Sequence, residues 1–273
     1  MHQVVWAQPS NSNVSDLDSL SGELLRFYDE DYKIRITETD PGLRDVALFL
    51  LAKSAKTLRA IGCVSRNGFG QEGLILARGL FESLLNMAYI LKDQGHEERK
   101  RRARLFALYS LLRNHDWTKK LDRYPEVVSR HGNLEQAFLK DFAPTLDAAR
   151  IEHKDQCSRI VPERQSQRHW ACIQTPELAI ETGLKFDYDL VNWHLSNFVH
   201  SSPQISASYM RSIDTGQVEV NDVPGEISCK ESLALGIDYF VELLRLVDDV
   251  FDLDKKEDLD RFKQRQKNLT KTM

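Results

Sequence analysis

What the chain lacks narrows its class before any motif is read. Its four cysteines, Cys63, Cys157, Cys172 and Cys229, include no CxxC pair, so the spacing spells neither a dense disulfide framework nor a zinc ribbon. Reduced thiols in a cytosol, with no structural disulfide, are the expectation. Basic charge is not in excess: the net charge is -4, a field mildly repulsive to phosphate, so any nucleic-acid contact needs a local basic face. Met1 to Ser15 contains no basic segment followed by an apolar one, which is the mark of a secretory signal. The longest apolar stretch, Leu74 to Leu91, is interrupted by Arg78, Glu82, Ser83 and Asn86, and a charge near a bilayer centre costs roughly 2.5–3.5 kcal/mol. It reads as a buried core helix, and a cytoplasmic protein with no membrane partner is expected. No Gly-rich phosphate loop, GxSxG elbow, HExxH or internal repeat occurs.

What is present is an ordinary globular composition, 41% hydrophobic and 29% charged over 273 residues, enough for one large domain or one domain with an insertion. Helix signals dominate. Residues 1–40 read as an N-terminal arm with a short helix from about Asp16 to Tyr28. Thr39-Asp40-Pro41 offers a cap and a proline at the first helical position, starting a helix to about Cys63. The turn-rich Ser65 to Gly70 precedes the central helix, residues 71–92. Helices follow over Glu97 to Asn114, in turns from Glu126 to Lys154, from Thr175 to Gly183, over Tyr188 to His200, and over Ile227 to Phe251, where Leu233, Ile237, Phe240, Leu244 and Val247 share a face. Between Ser208 and Asn221, Tyr209 to Ile213 and Gln217 to Val220 partly alternate around a turn at Gly216 and predict a small β-hairpin. The fold class is therefore all-α, a helical bundle spanning 41–251 around the buried central helix, with an excursion at about 115–175 and a charged tail at 252–273.

Two polar groups stand out as candidate sites. Arg78 and Glu82 lie four apart on the central helix with Asn86 one turn on. In a helix apolar on nearly every side, such a pair must be buried and needs further hydrogen bonds. A structural salt bridge that locks helix packing is the heavier reading, and a ligand site the lighter. On 188–200, Asn192, Ser196 and His200 share a helical stripe, with His194 and Asn197 beside it. Periodicity alone favours a solvated face, and a histidine at a helix C-terminus suits the macrodipole. The basic run Arg99 to Arg104 follows Glu97 and Glu98, so intrahelical pairs can absorb its charge.

The residues Trp170, Gly183, Tyr188, Leu195-Ser196, Val199-His200 and Pro203, with Arg78-x-x-x-Glu82 upstream, resemble the bacterial family catalogued as domain of unknown function 5677. That resemblance implies a fold more than a reaction, and implies that Arg78, Glu82, Ser196 and His200 form one cluster between two helices. His194 and Asn197 are additions to the pattern. The Ser-x-x-x-His ending also resembles the nucleotide-binding helical (HEPN-like) domains of prokaryotic toxin and defence systems, whose ribonucleases carry Arg-x-(four to six)-His on one helix. No arginine precedes His200 at that spacing, so the resemblance implies Arg78 as the phosphate-binding cation, His200 as general acid or base, and Glu82 as their catalytic partner.

The function expected is binding or cleavage of RNA or a nucleotide, with Asn86, His194, Ser196 and Asn197 as ligand-binding residues and a homodimer through an exposed helical face. The rival is a non-enzymatic interaction or scaffold protein whose cluster is structural. Whether the chain is an enzyme, and with what cofactor, is left open. His153-x-x-x-Cys157 and His169-x-x-Cys172 have spacings zinc can use but match no familiar finger. Coincidence is the heavier reading there, and no metal is assigned. A site of Glu82 with His194 and His200 would need three ligands to converge.

Overall fold

The structure, a computed structural model, describes residues 12–32, 41–92, 95–160, 169–199, 206, 209–212, 218–220, 225 and 228–271. It is all-α, with one short antiparallel pair of strands. The chain divides into two compact units, one from residues 1–39, 47–91 and 182–273, the other from 40–46 and 92–181.

The first unit is organised by α1 (Ser12–Phe27), the inner part of α2 (Pro41–Arg66), α3 (Gly70–Leu91) and α10 (Cys229–Phe251). The stripe Leu233, Ile237, Phe240, Leu244 and Val247 on α10 is fully buried, as its spacing requires, and α10 packs against both α3 and α1. Beyond α1 a π-helical turn, Tyr28–Tyr32, buries two tyrosines; the Tyr28 ring meets Phe240 at 5.6 Å and the Tyr32 hydroxyl donates to the Leu244 carbonyl. α2 comes so close to α10 that Ser65 and Ser232 hydroxyls meet at 2.9 Å.

The central helix behaves as a core element over most of its surface. It is long and apolar enough to cross a membrane, but 67% of the relevant window is buried inside the protein. One correction concerns its polar face. Glu82 is exposed and Arg78 partly so, so Arg78 and Glu82 are not carried into the core as a sealed pair.

A second correction concerns the C-terminus. Lys256–Thr270 is not an extended charged tail but a helix, α11, packed on α10 and α1. Its single fully buried side chain is Leu259, with the Phe262 ring against Phe27 at 5.5 Å. Arg265 grips Glu23 of α1 at 2.6 and 3.0 Å, Arg245 of α10 reaches Asp260 at 2.5 Å, and Lys263 reaches Glu242 at 2.8 Å. So narrow an apolar stripe leaves much of the docking to ion pairs, which hydrophobic periodicity does not register.

The second unit is built on α4 (His96–Leu121), α5 (Pro125–His131), α6 (Leu134–Ile160) and most of α7 (Thr175–Thr182). α4 and α6 pack together. On α6 the buried stripe begins with Leu146 and Ala149 and continues with His153, Gln156 and Cys157, so an apolar seam becomes a polar one along a single helical face. The basic run of α4 is neutralised locally: Glu98 takes Arg101 and, at 2.9 Å, Arg102, while Glu152 takes Arg104 at 2.9 Å. No structural disulfide was expected, yet Cys157 and Cys172 are joined in one. Their separation of 15 residues carries no signal in the sequence; the turn at 169–172 folds back onto the end of α6 and brings them together.

Between the α7 end and the strands lie α8 (Lys185–Leu190), a π-helical segment Val191–Leu195 and α9 (Ser196–Val199), the last two packing against α3. The expected hairpin is present as β1 (Met210–Ser212) and β2 (Val218–Val220), with Arg211 opposite Glu219.

Candidate functional site

The predicted cluster is only partly visible. Arg78 and Glu82 pair at 3.1 Å as neighbours on one helix, with side chains 29% and 48% exposed. In water such a pair contributes a few tenths of a kcal/mol. Arg78 Nε is nevertheless buried and has no hydrogen-bond partner among the described residues. Asn86 is half-buried. On the other segment the backbone at Val191–Leu195 is π-helical, with i→i+5 hydrogen bonds in place of i→i+4. His194 stands 3.4 Å from Glu231 at the start of α10. Asn197 donates to the carbonyl of its own Trp193, and Ser196 is half-buried. His200, the proposed general acid or base, lies outside the described residues, as does the side chain of Asn192.

Two pockets that the sequence reading did not single out carry more chemistry. In the first unit, a cavity of about 270 Å³ is lined by Asp187, Asp238, Tyr239, Glu242 and Lys263 among apolar neighbours. Lys263 bonds both Asp238 and Glu242. Burial works against its ammonium, but these two carboxylates outweigh that and raise its pKa. Burial pushes the Asp187 carboxyl up, with the Asp238 charge adding to the effect. Burial likewise pushes up the Tyr239 phenol, whose buried hydroxyl has no hydrogen-bond partner among the described residues.

The sign of the Asp187 effect follows from linkage. A carboxyl whose folded-state pKa exceeds its unfolded one binds protons preferentially when folded. Its charge therefore costs stability at neutral pH, a cost that disappears as pH falls through the raised value towards the ordinary carboxyl range. Asp187→Asn is expected to raise the melting temperature at pH 7, by an amount that shrinks as the pH is lowered. A drop in melting temperature at pH 7 would show that the charge is a needed partner in the pocket.

In the second unit, α4 and α6 enclose a cavity of about 340 Å³ lined by Tyr109, Leu112, Arg113, His115, Asp116, Arg150, His153 and Lys154. Arg150 Nη2 stands 3.1 Å from His115 Nδ1. An arginine can only donate, so Nδ1 accepts and the ring proton sits on Nε2. That nitrogen is buried; Glu135 Oε1 is 3.3 Å away, yet the contact lacks hydrogen-bonding geometry and the donor counts as unsatisfied. A misaligned contact at that distance is a weak bond. Tyr109 lies against His153 at 5.3 Å between ring centres. Burial pushes the Tyr109 phenol up and holds His153 down, the latter partly offset by a hydrogen bond to the His169 carbonyl. Arg113 and Arg150 face Asp116 and Asp147 at 3.8 and 3.2 Å, and all four side chains are close to or more than half exposed. These are exchangeable pairs. The signal for this pocket was present as i, i+4 polar positions on two helices that face each other, 109/113 and 150/154, but pairing the two helices required the fold.

The sequence profile of a family described as "Family of unknown function (DUF5677)" matches residues 44–217, which contain both the Arg78 group and the α4–α6 pocket. No curated protein and no solved structure matches the chain.

Proposed function

We propose that this chain, which belongs to the DUF5677 family, binds a small phosphate-bearing ligand of nucleotide size in the pocket between α4 and α6. The observation that carries the reading is the convergence of Arg113, Arg150 and Lys154, with the donor-bearing His115, around one cavity that also holds an aromatic ring, Tyr109. A single carboxylate, Asp116, lines the same cavity, so the local field favours an anion even though the whole chain is acidic. Arginine matches the geometry of phosphate oxygens with paired N–H groups, and the volume of about 340 Å³ falls within the range typical of small-ligand sites. Because the resident ion pairs are solvent-screened, an incoming phosphate displaces their aspartates at little cost.

This keeps the phosphate-binding expectation and moves its place. Ribonuclease chemistry at Arg78 and His200 is the second reading, favoured by one observation: the buried, unpartnered Nε of Arg78 is a donor that a phosphate oxygen would satisfy once admitted. The two readings separate in one titration. With adenosine monophosphate as probe at low salt, Arg150→Ala should weaken binding about tenfold, the loss of roughly 1.4 kcal/mol from one charge-assisted contact, while Arg78→Ala leaves it unchanged. If binding survives Arg150→Ala and Lys154→Ala but is lost in a folded Arg78→Ala variant, the pocket assignment is wrong and the central-helix site stands.

A further inference from the structure

Three ligand-type side chains of the second unit meet in its interior, one of them, His153, also lining the proposed pocket. His153 and Cys157 are one turn apart on α6, hence on the same face. Cys172 comes from the turn beyond, where its backbone takes the left-handed conformation (φ 62) and its N–H bonds the His169 carbonyl at 3.0 Å. His153 Nε2 lies 3.8 Å from Cys157 Sγ and 3.9 Å from Cys172 Sγ. The ligand atoms of all three residues fall within 4.8 Å of one another, and all three are buried. Tetrahedral zinc, with Zn–S near 2.3 Å and Zn–N near 2.0–2.1 Å, sets nitrogen–sulfur edges of about 3.6 Å, close to those present.

We infer that, with the disulfide reduced, Cys157, Cys172 and His153 supply three ligands of a binding site for a zinc-class divalent metal ion. His153 Nε2 now donates to the His169 carbonyl at 3.1 Å. Metal capture replaces that bond and moves the ring proton to Nδ1. The disulfide and the metal are alternatives for the same two sulfurs, so the compartment decides which form is held. A phosphine and one water take the disulfide to two thiols and a phosphine oxide; the two thiols then bind one metal ion and release two protons. The site tethers the end of α6 to the 169–172 turn, and it stands whether or not the neighbouring pocket binds phosphate.

The test uses the full chain, reduced with a phosphine without air and titrated with Co²⁺ as a spectroscopic probe. One equivalent is expected to bind with thiolate-to-cobalt charge-transfer absorption and tetrahedral visible bands, and one equivalent of Zn²⁺ should bleach both. Cys157→Ser and Cys172→Ser should each remove the charge-transfer absorption. A second reading, independent of how either variant folds, uses the wild-type chain alone: zinc should raise the melting temperature of the reduced protein, and a chelator should reverse the rise. The inference is overturned if the reduced, folded wild type shows no thiolate-to-cobalt absorption, if that absorption persists in a folded Cys157→Ser variant, or if zinc leaves the melting temperature unmoved.

Discussion

Phe240→Ala is expected to destabilise the protein by about 3–5 kcal/mol, the range for removing a fully buried phenyl ring from a core that relaxes only partly. The ring is inaccessible to solvent, sits in the centre of the buried α10 stripe and packs edge-on against Tyr28. The loss therefore reaches the α1 end as well as the helix itself. At roughly 2–4 °C per kcal/mol for domains of 150–250 residues, calorimetry should show the melting temperature fall by about 6–20 °C. A conservative Phe240→Leu change, which keeps most of the volume, should cost far less. A fall below about 1 kcal/mol for Phe240→Ala would mean that α10 is not the keystone of the first unit.

Gly73 should be the position where adding atoms hurts most. A Cβ built there would lie 2.6 Å from Ser232 Oγ, 2.8 Å from Ser232 Cβ and 3.3 Å from Ser65 Oγ, so α2, α3 and α10 meet where only a hydrogen fits. Gly73→Ala removes backbone entropy from the unfolded chain, which alone would stabilise by about 0.4–1 kcal/mol, but overpacking a close-packed contact costs about 1–3 kcal/mol, and the steric cost wins. Gly73→Val should exceed that range. The diagnostic experiment is a double-mutant cycle: Ser232→Gly should recover part of the Gly73→Ala loss, and strict additivity of the two changes would place the clash elsewhere. Ser232 also hydrogen-bonds Ser65 at 2.9 Å, so recovery is expected to be incomplete.

The physical basis of both expectations explains what could be read in the sequence. Apolar residues at helical spacing identified α3 and α10 as core helices, because burial demands a continuous face and the α-helix imposes its period. The same logic passed over α11, whose hold on the first unit comes through Arg265, Lys263 and Arg245. Ion pairs between helices leave no periodic trace, since any complementary charges distant in sequence can serve as partners. The π-helical segment at Val191–Leu195 was equally illegible: a shift of one hydrogen bond per turn depends on packing against α3 and not on residue type. Within it His194 comes to stand 3.4 Å from Glu231.

The Arg78–Glu82 spacing was read correctly as a same-face pair, yet its burial was not, because exposure depends on what covers a face. The Cys157–Cys172 disulfide was hidden for a related reason. His153 and Cys157 were visible as neighbours four apart, and His169 and Cys172 as neighbours three apart, but nothing in the linear order brought one pair to the other. The turn at 169–172 did.

By itself, the sequence determined the helical class, the identity of the two core helices, the small hairpin and the family to which the chain belongs. All but the last are local or periodic properties, set by hydrogen bonds a few residues apart and by the face a helix must bury. Only the tertiary structure decided which polar side chains meet: Arg113 with Arg150 around one pocket, Lys263 with Asp238 in another, and His153 with both cysteines. Such encounters join residues tens of positions apart, and their geometry is set by how whole helices pack, which no short-range pattern encodes.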